Sequence, residues 1–161
     1  MNQVVPVTGD RSVAVFHEEK ETLVTLYVGG QLFGMPVLRV RDIIMPERIF
    51  PVPLAPREVA GSINLRGRIV TVIDMRSRLG LPPKEKKEGA QTYCVTVDHG
   101  GELYGLLVDR IGDVMDLSRD LYEENSSTLG AHWREYSLGV FRLSKELLVK
   151  LDIDRFLDLN G

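Results

Sequence analysis

Apolar and polar positions alternate along this chain in short bursts broken by turn residues. Leu23-Val24-Thr25-Leu26-Tyr27-Val28 runs into Gly29-Gly30 and then into Gln31-Leu32-Phe33-Gly34-Met35. A glycine pair supplies the positive φ angles of a two-residue hairpin, so the segment predicts two antiparallel strands. Leu38, Val40, Ile43 and Ile44 fall largely at helical spacing and Pro46 stops them, which predicts a two-turn corner helix. Pro56 to Gly61 reads as a one-turn connector, with proline near a first helical turn and glycine after it. Residues 61–80 predict a strand, a tight turn at Arg66-Gly67, a strand and a short helix. Asp74 and Asp152 stand where they can cap short helices at Met75 to Leu79 and Ile153 to Leu157.

The pattern occurs twice. Residues 29–45, GGQLFGMPVLRVRDIIM, align without gaps on residues 100–116, GGELYGLLVDRIGDVMD, sharing Gly-Gly, Leu, Gly, Val, Arg and Asp. Val24-Thr25 matches Val95-Thr96. At a slightly longer offset, Ile69 to Asp74 matches Leu147 to Asp152, and Leu79 matches Leu157. The proline-led polar stretch from Pro82 to Gly89 separates the copies. Two similar lobes built one after the other follow, at about 21–81 and 91–158, joined by a linker at about 82–90 and preceded by a flexible tail at 1–20. Five short strands per lobe leave exposed edges unless the sheet curls shut, so the expected fold is mainly β: two SH3-like barrels.

Composition narrows function. The chain has 161 residues, 43% hydrophobic and 27% charged, with a formal net charge of -3. No long basic run favours a phosphate backbone, so nucleic acid is a poor partner. The one cysteine, Cys94, lies in an apolar alternating run; it predicts a buried thiol, no internal disulfide and a reducing compartment. No window approaches the ~18 apolar residues of a membrane span. His17, His99 and His132 lack second ligands at metal-like spacing, Gly29-Gly30 lacks the lysine and helix of a phosphate loop, and Ser126, Ser127 and Thr128 have no triad around them. No metal, cofactor or catalytic role is expected.

A duplicated scaffold separates packing from function, because packing positions should be filled alike in both copies. Asn64-Leu65-Arg66-Gly67 becomes Arg142-Leu143-Ser144-Lys145, so the scaffold does without Arg66 and Gly67. Arginine's planar fork suits carboxylates and protein interfaces, and Asp42 is a plausible internal partner. It could instead only lay its stem over apolar surface. Val40, Ile43, Ile44 and Ile49 are more apolar than a short corner helix needs, although all four could face the core. The second copy replaces Leu38 with Asp109 and Arg41 with Gly112, which makes this face unequal between the copies.

Three blocks in order, LVTLYVGGQLFGMPVLRVRDII, GSINLRGRIVTVIDMRSRLG and YGLLVDRIGDVMDL, resemble the CheW family of chemotaxis coupling proteins. The most specific part is Asn64 to Gly67 leading into Ile69 to Asp74. The resemblance implies a single CheW-like domain at 21–161 whose two barrels pack around a shared core. It also implies a non-catalytic cytoplasmic adaptor without cofactors, recruited to membrane-associated arrays, that joins chemoreceptor tips to the regulatory domain of the histidine kinase CheA. Carried over by position, it places receptor or kinase contacts at Val40, Asp42, Ile43, Ile49, Gly61, Asn64 and Arg66. A related receptor–kinase system controlling surface motility or gene regulation is the alternative, and a ligand- or oligonucleotide-binding barrel a further one. The longer segment Asn125 to Tyr136 carries no assigned role.

Overall fold

The computed structural model describes residues 19–85, 91–124 and 134–159. The expected tail falls almost wholly outside these residues, as do 86–90 of the linker and 125–133 of the long segment.

The predicted hairpins form. β1 (Lys20–Val28) turns at Gly29-Gly30 into β2 (Gln31–Pro36), β4 (Val59–Leu65) into β5 (Arg68–Asp74), and β6 (Tyr93–His99) into β7 (Glu102–Val108). β3 (Val40–Ile44), β8 (Arg110–Ser118), β9 (Tyr122–Glu123), β10 (Ser137–Arg142) and β11 (Leu147–Leu151) complete the strands among the described residues. Two short helices, α1 (Met75–Arg78) and α2 (Ile153–Phe156), start where the aspartates predict. The Asp74 carboxylate accepts from the Arg76 N–H and that of Asp152 from the Arg155 N–H, each satisfying an orphan donor of the first turn.

Two local expectations fail. The corner is no helix: Val37–Arg39 makes one 3-10 turn and the chain then enters β3, which pairs with β6. The register shifts between Val40 and Asp42, so Val40 opposes Val97 and Ile44 opposes Cys94 on the two faces of β6; apolar residues on both faces of a bulged strand fall at helical spacing, and β-branched residues favour the strand. The stretch before Gly61 is also non-helical. Pro51, Pro53 and Pro56 lock φ and remove donors, and the Glu58 carbonyl is already taken by the Asp74 N–H at 2.8 Å, so the chain enters β4 by turns.

The strands do not sort by chain half. One sheet has the order β8-β1-β2-β11-β10-β9 and the other β3-β6-β7-β5-β4. The opening hairpin of each half is therefore completed by the later strands of the other half, and the expected earlier and later lobes give way to an exchange. Both parallel junctions have the same register: Phe33 opposes Val149, and Tyr104 opposes Thr71, their repeat equivalents.

The cores follow the exchange. One barrel is filled by Leu23, Leu32, Phe141 and Leu148. The other uses Cys94, Leu103, Ile63 and Val70, the same four repeat positions with the halves traded, together with Val72. Between the barrels a larger shared cluster joins Leu26, Phe33 and Val149 of one sheet to Ile73, Val95 and Leu106 of the other. Each such side chain contributes about 1.5–3 kcal/mol by leaving water. Cys94 is fully buried as expected, and burial pushes its thiol up to about 12. Thr25 and Thr96, also repeat equivalents, are the buried polar residues among those described, and each bonds to the backbone of the facing aspartate, Asp113 or Asp42, at a strand irregularity.

Candidate functional site

The β4–β5 turn consists of Arg66 and Gly67, at φ 51 and 83. Such a turn asks for positive φ at both positions, and a side chain there is disfavoured by about 1–2 kcal/mol relative to glycine. Asn64 steadies it, its side-chain oxygen accepting from the Gly67 N–H at 3.0 Å. The Arg66 guanidinium reaches across to β3 and donates to Asp42 at 2.8 Å. β3 and β4 are the two edges of their sheet, so this pair spans the seam where the barrel closes.

The guanidinium is 70% exposed and its partner carboxylate 24%. A pair this wet contributes about 0–1 kcal/mol, which does not exceed the strain of the turn. Arg66→Gly is therefore expected to leave the free energy of unfolding within about 1 kcal/mol of wild type in urea titration. An arginine that the fold does not need, held in a conformation that disfavours it, is an observation pointing to function.

The other candidates divide. Ile43 stands on the outer face of β3, 43% exposed, and Asn64 is exposed beside the turn. Asp42 and Arg66 are paired across the seam, Asn64 holds the turn beside them, and Ile43 follows Asp42 on the outer face of β3. Val40 is instead half-buried against the shared core, and Ile49 packs against the smaller cluster. Gly61 is buried at φ 151, and a Cβ there would stand 2.3 Å from the Phe50 carbonyl oxygen. It lets Phe50 bridge to Ser62 through two hydrogen bonds of 2.8 Å. Gly61 thereby fixes the position of Phe50 next to β4.

The sequence reading missed Ile69, 71% exposed and directly across the ladder from Asn64, and Met45, 55% exposed beyond β3. The signal for Ile69 was strand phase: Val70 and Val72 point inward, so Ile69 and Thr71 point out. Beside them Ile44, Pro46, Phe50, Ile63 and Asn64 line an open hollow of about 330 Å³, with the Arg48 guanidinium 4.8 Å from the Phe50 ring centre. The surface is mixed, aliphatic around one ion pair. Among the described residues no group of three or more metal-ligating side chains gathers.

The family model of the CheW-like domain matches residues 22–160. The chain belongs to the CheW-like family. Its relatives include chemotaxis protein CheW of Treponema pallidum, 28% identical over 141 residues covering 86% of this chain and 83% of that one. Protein PilI of Pseudomonas aeruginosa is 28% identical over 124 residues, covering 76% of this chain and 67% of that one. The crystal structure of scaffolding protein TtCheW from Thermoanaerobacter tengcongensis superposes with a TM-score of 0.77 at 22% identity, covering 89% of this chain and 96% of that one. That likeness shows a shared CheW fold with its two joined barrels. No helix among the described residues is long and apolar enough to cross a membrane.

Proposed function

We propose that this CheW-like chain is a non-catalytic cytoplasmic adaptor of chemotaxis, coupling chemoreceptor tips to the regulatory domain of the histidine kinase CheA within arrays. The observation that carries the reading is Arg66: exposed, paired with Asp42 across the barrel seam, and kept at a positive φ that glycine would fill with less strain. An exposed guanidinium paired with Asp42, in a turn next to Asn64 and with exposed Ile43 and Ile69 on the same sheet, is the kind of anchor that protein interfaces use. Names among its relatives, chemotaxis protein CheW and a scaffolding protein, support the same role. A rigid two-barrel body fits a part that fixes the relative placement of its partners.

Purified receptor-tip and kinase regulatory-domain fragments test this. Each is expected to be retained by the immobilised chain, and Arg66→Glu or Ile43→Asp to weaken retention of at least one fragment by about tenfold or more, as an anchor residue should. Thermal unfolding of both variants is expected to stay near wild type. Retention of neither fragment would refute the adaptor reading, and unfolding of both variants would make these residues structural.

A further inference from the structure

Each half of the chain could in principle close on itself. The repeat equivalents share strand positions, core positions and the register of the parallel junctions, so backbone pairing alone does not choose between a self-closed half and the exchanged one. The ion pairs between the halves do distinguish them. Lys150 on β11 meets Glu21 on β1 at 2.7 Å, with side chains 14% and 19% exposed. Arg76 on α1 grips Asp109, just past β7, through three contacts of 2.7–3.2 Å. Arg41 on β3 pairs with Asp98 on β6. Arg39 in the corner pairs with Asp154 on α2 at 2.8 Å.

Reading the repeat offsets through these pairs shows what self-closure would bring together. Lys150 would meet Thr92, and Glu21 would meet Val72. Arg41 would meet Tyr27, and Asp98 would meet Gly112. Arg76 would stand by Leu38 and Arg39, and Asp109 by Asp154. Asp154 alone would keep a cation, Arg110, the equivalent of Arg39. The two helix positions carry opposite signs, Arg76 and Asp154, and so do the ends of the clamps they reach.

We infer that these charges form a pairing code: their signs select which opening hairpin each set of later strands completes, and so fix the exchanged two-barrel body. The exposed pairs add little stability, but a half-buried charge left unpaired or facing its like is strongly disfavoured, so the code acts chiefly against the wrong arrangement. The Arg66–Asp42 pair lies within one half and is blind to this choice. The inference therefore does not rest on the adaptor reading.

A disulfide reports the arrangement. Thr71→Cys with Tyr104→Cys, in a Cys94→Ala chain, sets two thiols on partnered positions that adjoin only in the exchanged form. After refolding from denaturant, the monomer with native charges is expected to link almost fully. An erased chain carries Glu21→Thr and Lys150→Val, the residues that occupy the equivalent positions of the other half. It is expected to lose at least about half of that yield, because one discriminating pair is gone. A recoded chain, Glu21→Thr, Thr92→Glu, Arg76→Asp and Asp154→Arg, is expected to lose most of it. The reversed pair Glu21→Lys with Lys150→Glu keeps opposite signs in place, leaves the self-closed neighbours Thr92 and Val72 uncharged, and is expected to retain the full yield. Full linking in the erased chain, or loss of linking with the reversed pair, overturns the code; a recoded chain that does not fold leaves those two results to decide.

Discussion

Gly61→Val is expected to lower the free energy of unfolding by about 3–5 kcal/mol, read as a fall of roughly 10 °C in Tm. The backbone at φ 151 belongs to a region that only glycine enters freely, and forcing a side chain there costs about 1–3 kcal/mol. The new Cβ would also press on the Phe50 carbonyl at 2.3 Å, a backbone atom that no rotamer change can move. Relief comes only by opening the Phe50–Ser62 bridge, two hydrogen bonds of net value about 1 kcal/mol each. The hollow beside Phe50 would lose its wall, so partner binding should fall together with stability. Arg66→Glu is expected to separate the two, and circular dichroism melts run beside the binding assay check the contrast.

Arg76→Ala should cost about 2 kcal/mol, less than the 3–5 of a fully buried pair because the two side chains remain 20% and 18% exposed. The guanidinium donates three of its contacts to Asp109 and another to the Pro82 carbonyl at 2.9 Å, while Asp109 also accepts the Gly29 N–H at 2.8 Å. One clamp thus ties α1, the β1–β2 turn and the crossing from β7 to β8. Burial alone would push the Asp109 carboxyl up. The Arg76 hydrogen bonds, the Gly29 N–H and the charges of Arg76 and Lys84 outweigh it and hold the carboxyl below the ordinary carboxylate range. A group lowered on folding adds stability that is complete above its unfolded value, near pH 4, and is lost as pH falls through its folded value. Wild type should therefore lose stability below about pH 4 more steeply than Asp109→Asn, which should already be less stable at neutral pH. Parallel acid titrations of the two proteins in urea show this as converging curves; curves that stay parallel would assign the clamp no share of the acid sensitivity.

Much of the fold was legible because local chemistry and tertiary structure agree. Glycine pairs mark the hairpins, Asp74 and Asp152 cap the helices they precede, and Cys94 is buried as its alternating run implies. The repeat announced two barrels, but not which strands fill them. Equivalent positions such as Leu148 and Val70 fit either barrel, so the exchange lies in pairs far apart in sequence, Glu21 with Lys150 and Arg76 with Asp109. The corner misleads because a bulged strand with apolar residues on both faces, Val40 on one and Ile44 on the other, shows helical spacing, and only pairing with β6 decides. At the site, comparison of the copies singles out Arg66, and Asp42 is its partner as the sequence suggests. Gly61 lies buried against the Phe50 carbonyl, a packing constraint that its sequence does not announce, while strand phase places exposed Ile69 outward.

The central claim is that one side of the first-half seam, Asp42, Ile43, Asn64, Arg66 and Ile69, faces other proteins. Amide hydrogen exchange of the full chain, alone and with a saturating kinase regulatory domain or receptor tip, tests it most directly. The account predicts added protection in 42–45 and 64–69 with at least one partner, and none in the interior strand segment 94–97. Protection by both partners that leaves 42–45 and 64–69 unchanged would contradict it.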